Sequence, residues 1–208
     1  MKGTFKMEKN SIKKFENIYK GNLWGGRQSR SGSGSDLEET SSVSKGIVDF
    51  IKENKVMSVL DIPCGDMNWM KGVLHQLDEE VTYIGADIVK DAVTGNIGKF
   101  KSWEGCEVSF EVMDLTADNL PKVDLIIARD CLGHLSEENI LKSMQNIYKA
   151  EPKFFAATNW PTAGKSTVSD AGWMPINMRY YRDVSKLQFV DSVDEYFDGK
   201  KLTFWKTR

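Results

Sequence analysis

"VMSVLDIPCGDMNWM", residues 56–70, decides how the rest of the chain is read. Its first seven residues form an apolar run of strand length, the pattern of a strand buried on both faces. The run stops at an acid, a proline and a glycine. Trp69, Val73, Leu74 and Leu77 then recur at helical spacing, with Asp66 placed to cap that helix. Strand, tight turn and helix make the first half of a βαβ unit.

The same alternation continues downstream. "VTYIGAD" (81–87) reads as a second strand, followed by a weak helix around Ala92, Val93, Ile97 and Phe100. "EVSFEVMD" (107–114) alternates as a half-buried strand, and "VDLIIARD" (123–130) reads as a buried one. Ser136 is placed to cap a helix whose face is Ile140, Leu141, Met144, Ile147 and Tyr148, and "KFFAAT" (153–158) is a fifth strand. Upstream, Val43, Ile47, Phe50 and Ile51 mark another helix. The tail changes character: "KLQFVDSVDEYF", the turn pair Asp198-Gly199 and "KKLTFWKT" read as an antiparallel hairpin. The expected fold is α/β, a Rossmann-like doubly wound, seven-stranded, mostly parallel sheet with a C-terminal antiparallel hairpin in three α/β/α layers. Residues 43–208 read as one domain. Residues 1–42 read as an N-terminal extension or lid packing on that domain, polar and basic at first, with Phe5, Phe15, Tyr19 and Trp24 scattered through it.

Length and composition fit this. A chain of 208 residues can build one substantial core, and 40% hydrophobic with 28% charged residues is ordinary for a globular protein. A net charge of -2 argues against a nucleic-acid partner held by broad phosphate neutralisation. Cys64, Cys106 and Cys131 are odd in number and widely spaced, which suits a reducing compartment better than a disulfide framework or a zinc site. No apolar run approaches a membrane span and "MKGTFKMEKN" lacks the apolar core of a signal peptide, so a cytoplasmic protein is expected.

In open parallel sheets, ligands bind beyond the carboxyl ends of the strands. The strands here end at Asp61, Asp87, Asp114 and Arg129-Asp130. A dinucleotide would want GxGxxG, so that backbone amides hold its pyrophosphate. The first turn has a single glycine, Gly65; Pro63 removes an amide donor and Asp66 adds negative charge. A cationic ligand without phosphate fits better, and S-adenosylmethionine is one.

"VLDIPCGD", "YIGADI", "VMDL" and "DLIIARDCLGHLS", in this order and spacing, resemble the successive motifs of class I S-adenosylmethionine-dependent methyltransferases over residues 43–158. The resemblance implies S-adenosylmethionine as cofactor and S-adenosylhomocysteine as product. It implies that Asp61 anchors the methionine amino end and that Gly65 lets the cofactor approach the backbone, with Pro63 and Cys64 of the same turn and Arg129 as further contacts. Asp87 would accept from both ribose hydroxyls and Ile88 would lie against the adenine, whose amino group would donate to Asp114 beside Leu115. Pro63 and Met67 stand where the family usually has glycines.

A hydroxyl acceptor of the methyl group needs a base. Asp130 and His134 flank the end of the fourth strand; each also has a bland reading, His134 bonded to backbone at the start of a helix and Asp130 paired with Arg129 or a lysine. Asp130 is alternatively an anchor for the acceptor. Cys64 and Cys131 read as small buried hydrophobes, not nucleophiles. In the loop after the fifth strand, Trp160 and Trp173 could stack on a sugar or aromatic ring, or simply cover the sheet edge. Asp170 and Asn177 could bind hydroxyls, or with Asp130 a divalent metal, although no metal is predicted.

"IYKGNLWGGRQSRSGSGSDLEET" (18–40), "IPCGDMNWM", "RDCLGHLS" and "GWMPIN" together resemble a subset of this superfamily associated with surface-glycan assembly and sometimes fused to glycosyltransferases. That resemblance implies O-methylation of a sugar hydroxyl, for example of a deoxyhexose such as rhamnose, in a glycan or its precursor, and a chain that can serve as one domain of a larger glycosyltransferase-containing protein. It also implies that the Ser/Gly stretch is a lid, with Trp24 on the cofactor and Arg30 on a carboxylate; a plain tether is the other reading. The runner-up functions are a small-molecule methyltransferase with another oxygen, nitrogen or carboxylate acceptor, and a cofactor-binding module without catalysis.

Overall fold

A computed structural model of the protein describes residues 6–101, 103–181, 183 and 186–207, so that Phe5 lies outside the described residues. Among the described residues, α-helices and strands follow one another as α1 (Lys9–Gly21), α2 (Ser41–Glu53), β1 (Ser58–Asp61), α3 (Met70–Leu74), β2 (Thr82–Asp87), α4 (Lys90–Lys99), β3 (Glu107–Val112), β4 (Leu125–Ala128), α5 (Glu137–Ala150), β5 (Phe154–Asn159), β6 (Gln188–Asp194) and β7 (Lys201–Lys206). The strands form one seven-stranded sheet in the order β3-β2-β1-β4-β5-β7-β6. The first five pair in parallel, and β7 pairs antiparallel with both β5 and β6. The chain therefore runs from β5 out to the sheet edge as β6 and returns as β7 to fill the gap.

Strand periodicity sorts the core into two layers. Leu60, Ile126, Phe155 and Ala157 face one side of the sheet with Ile140, Met144 and Ile147 of α5, and Phe15 of α1 joins them. Val59, Leu125, Ile127 and Ala156 face the other side with Val43, Ile47 and Phe50 of α2 and Val73 and Leu74 of α3. Phe50 stacks on Phe204 at 4.0 Å between centroids and meets Phe154 edge-on, fastening α2 to the hairpin side of the sheet. These are the three layers the strand pattern implied.

Within residues 1–42, Ile12, Phe15 and Tyr19 lie on one side of α1 and pack on the core. Two local readings change. Helix α3 is only five residues long, and Asp66 does not cap it. Its carboxylate instead accepts from the Ser29 hydroxyl at 2.8 Å, the Arg30 backbone N–H at 2.9 Å and the Ser31 hydroxyl at 3.4 Å. Among the described residues, no helix is long and apolar enough to cross a membrane.

Candidate active site

β1 lies between β2 and β4; the chain steps outward from β1 through β2 and β3 and then crosses back to β4 on its other side, so a crevice opens where the carboxyl ends of β1 and β4 meet. A cavity of about 1000 Å³, counting its open mouth, fills that crevice. Asp61, Asp87, Asp114 and Asp130 all line it, together with Arg129 and His134.

The turn after β1 is built by backbone geometry. The Ile62–Pro63 peptide is cis, and Gly65 and Met67 have φ of +57° and +62°. Gly65 donates its N–H to Asp87 Oδ2 at 3.0 Å and its carbonyl accepts from Asn96 at 2.8 Å. A side chain at Gly65 would meet Ser31 Oγ at 2.2 Å, so what comes close to this glycine is the Ser/Gly segment itself.

Asp61 is buried and accepts the Tyr83 hydroxyl at 2.6 Å. Burial pushes its carboxyl up to about 7, against the pull of that hydrogen bond. Asp87, which also accepts the Val89 N–H, is pushed up to about 6, again by burial. Two desolvated carboxyls titrating near neutrality, in a largely apolar cavity, are poised to gain from a cationic ligand. Asp114 is more occupied than its sequence suggested: Oδ1 accepts from the Thr116 N–H and hydroxyl, and Oδ2 from the Met7 N–H at 2.8 Å. An adenine amino group there would share Oδ2 with Met7 or displace it.

The end of β4 carries a buried charge cluster. Arg129 is paired with Glu195 Oε2 through Nη2 at 2.5 Å and Nε at 3.0 Å, and its guanidinium lies 5.1 Å from the Trp69 ring centroid. Lys200 reaches Asp130 Oδ2 at 2.7 Å and Glu195 Oε2 at 3.2 Å. Asp130 sits at φ +48°. Burial alone would raise its carboxyl, but Arg129 and Lys200 hold it well below the usual carboxylate range. A carboxylate so held is a poor proton acceptor, which favours the anchoring reading of Asp130 over the basic one. Neither Glu195 nor Lys200 stood out in the sequence; both lie at the hairpin turn, where charge is common, and only the fold carries them under the site.

His134 Nδ1 lies 2.7 Å from the Gly172 carbonyl oxygen. A carbonyl can only accept, so Nδ1 carries the proton and Nε2 is left as an acceptor. Burial pushes the imidazole below its ordinary value, keeping it neutral at physiological pH. The backbone-bonded reading and the basic reading of His134 are thus compatible. Burial also drives the Cys64 and Cys131 thiols upward, which suits inert side chains.

The extension roofs the cavity. Phe15, Tyr19, Trp24, Ser31 and Ser35 join its lining, and Trp24 rests 5.2 Å from the His134 ring. Asn68 donates to the Ser35 carbonyl at 2.8 Å. A side chain at Gly34 would come within 2.9 Å of Asp130 Oδ2, so the Ser/Gly run presses its backbone onto the charge cluster. The recurrence of Phe15 and Tyr19 at i and i+4 was the available signal for this packing.

Pro63, Cys64, Ile88 and Leu115 also lie in the cavity wall. Five expected residues do not. Arg30 is exposed and lines a separate cleft between the extension and α4, beside Lys99. Asp170 is spent on structure, accepting from Ser11, the Ser136 N–H and Asn139. Asn177 donates to the Pro161 and Ala163 carbonyls and accepts the Arg179 N–H. Both side chains thus make structural hydrogen bonds outside the cavity lining, and no metal-holding group of acids, histidines and cysteines occurs among the described residues. Trp160 and Trp173 pack edge to face at 6.3 Å, outside the lining, with Trp173 61% exposed.

Comparison with known proteins bears on the core of this assembly. Residues 59–150 match the family model described as a methyltransferase domain. No curated protein sequence matches the chain. Among solved structures, the fold resembles magnesium protoporphyrin IX methyltransferase from Synechocystis PCC 6803 with bound SAH, at TM-score 0.69 and 12% identity over 95% of this chain and 99% of that one. The same enzyme with bound SAM gives 0.67 and 13%, over 96% of each chain. An S-adenosylmethionine-dependent methyltransferase from Clostridium acetobutylicum ATCC 824 gives 0.61 and 14%, over 93% and 98%. At these identities the likeness is one of fold. The matched stretch, from β1 to α5, is thus similar to a methyltransferase domain, and the acids of its strand ends are gathered in one cavity.

Proposed function

We propose that the protein methylates an oxygen, a sugar hydroxyl in a glycan or glycan precursor. The carrying observation is His134, whose Nδ1 is committed to Gly172 and whose ring lines the cavity as a neutral base.

The residues fit the cofactor in kind. Asp61 would take the cationic amino end, Asp87 the ribose hydroxyls, Ile88 and Leu115 the adenine faces, and Arg129 the ligand's carboxylate from within its pairing with Glu195. S-adenosylmethionine supplies a methyl group on a positively charged sulfur. The chain's own task is to place the acceptor oxygen and receive its proton. Asp130, held ionised by Arg129 and Lys200, accepts a hydrogen bond from the acceptor and aims it. His134 Nε2 takes the proton as the oxygen becomes bonded to carbon. Residues 1–42 act as a lid: Trp24 and Tyr19 exclude water while the Asp66 contacts hold the Ser29–Ser31 stretch closed. Trp173, exposed and packed edge to face on Trp160, offers an apolar ring face for a sugar. The glycan assignment draws on the motif resemblance of the lid and of "RDCLGHLS". In the cell this reading places the enzyme in the cytoplasm, alone or joined to a glycosyltransferase.

Incubation with S-adenosylmethionine and a panel of sugars and glycans tests it by mass. A gain of one methylene unit on an acceptor hydroxyl is expected, with His134→Ala lowering turnover about 10²–10⁴-fold while cofactor binding survives. Methylation confined to nitrogen or carboxylate acceptors, or full turnover in His134→Ala, overturns it. Wild-type turnover should also fall on acidification, as the His134 imidazole takes up a proton below its ordinary value.

A further inference from the structure

We propose that Tyr83 is a positioning residue for the cofactor: its buried hydroxyl, 2.6 Å from Asp61 Oδ2, orients that carboxylate and keeps it ionised for the ligand's cationic end. This rests on S-adenosylmethionine being the ligand of the cavity.

The phenol has one proton and two acceptors within reach, Asp61 Oδ2 and Met67 Sδ at 3.2 Å. With Asp61 ionised, the proton points at the carboxylate, and 2.6 Å is the length of a charge-assisted O–H···O⁻ bond. With Asp61 protonated, the carboxyl becomes the donor to the phenol oxygen, and the phenol proton turns to the thioether, a weak acceptor. Tyr83 therefore satisfies Asp61 in both states but strongly only in the charged one. The effect is confined to this pair because Tyr83 is 1% exposed and enters from inside the sheet, one strand away, leaving the cavity side of Asp61 open.

Other groups face Asp61 from each neighbouring element. Asp87 at the end of β2 disfavours its charge, and Arg129 at the end of β4 favours it. Cys64 in the turn and Cys131 after β4 stay neutral. Burial opposes the charge most, and the Tyr83 hydrogen bond is the largest influence in its favour. Without it, ionised Asp61 would rely on Arg129, which is already shared with Glu195 and Asp130.

Calorimetric titration of the full chain with S-adenosylhomocysteine, from about pH 5.5 to 9, tests this. Wild-type affinity should fall on acidification as Asp61 takes up a proton. In Tyr83→Phe that fall should move to higher pH, with binding about tenfold weaker near neutrality and the gap closing as the pH rises. Asp61→Asn should remove the inflection in both backgrounds, separating it from that of Asp87. An unchanged profile in Tyr83→Phe, or a deficit equal at every pH, overturns the proposal. Should Tyr83→Phe fail to fold, Tyr83→3-fluorotyrosine keeps the ring and strengthens the donor. It should move the fall to lower pH, and no movement overturns the proposal. Wild-type protein that binds no S-adenosylhomocysteine at any pH overturns the cofactor reading, and the role of Tyr83 with it.

Discussion

Asp61 and Asp130 look alike in the sequence, each an acid at the carboxyl end of a buried strand, yet the fold treats them oppositely. Asp61 has a phenol and a distant guanidinium to set against burial and titrates near 7. Asp130 has a lysine and an arginine and stays ionised. This contrast predicts a trade between folding and binding. A carboxyl raised from about 4 in the unfolded chain gives its full stability below that value and loses it as pH rises to about 7, beyond which the whole cost is borne. Asp61→Asn should therefore stabilise the ligand-free protein by about 1–3 kcal/mol above pH 7 in denaturant unfolding, with the gain vanishing toward pH 4. An Asp61→Asn protein no more stable than wild type at pH 8 contradicts this. The strand-end acids were legible because apolar runs that stop at an acid mark where a sheet meets its ligand. Their protonation was not, since it depends on burial first and then on groups such as Tyr83 and Lys200, brought in from another strand and a turn.

At the scale of elements, the parallel strands and the helices α2 and α5 announce themselves by period. Two elements do not. Helix α1 carries only Ile12, Phe15 and Tyr19 as its packed stripe, diluted by lysines that keep the other face in water. Helix α3 was overdrawn because Trp69 and Leu77, both buried, share its apolar spacing but belong to the flanking turns. The Ser/Gly run reads from the sequence as a lid, with a tether as the other reading, and in the fold Asp66 accepts three hydrogen bonds from residues 29–31. Asp66→Ala removes those acceptors while leaving the cavity acids in place. Amide exchange over residues 29–36 should accelerate at least tenfold, and S-adenosylhomocysteine should dissociate faster, with global stability lowered by only about 1–2 kcal/mol. Unchanged exchange in that segment would mean the stretch is held by something other than Asp66.

For the whole molecule, the order β3-β2-β1-β4-β5-β7-β6 does the gathering: it sets the ends of β1, β2 and β4 side by side and brings the β6–β7 turn beneath them. The alternation of strands and helices made the parallel part of this order legible, together with a tail of different character. The placement of β7 inside β6 was not, because a hairpin's sequence does not say which of its strands faces the sheet. The central claim is that the gathered acids hold a cationic sulfur nucleoside. Calorimetry of wild-type protein at pH 8 with S-adenosylmethionine, S-adenosylhomocysteine and NAD in parallel tests it most directly. The account predicts one site for each sulfur nucleoside, weakened as the pH is lowered through about 7 and 6, and no heat from NAD. Binding of NAD in place of both, or sulfur nucleosides whose affinity ignores pH across that range, would contradict it.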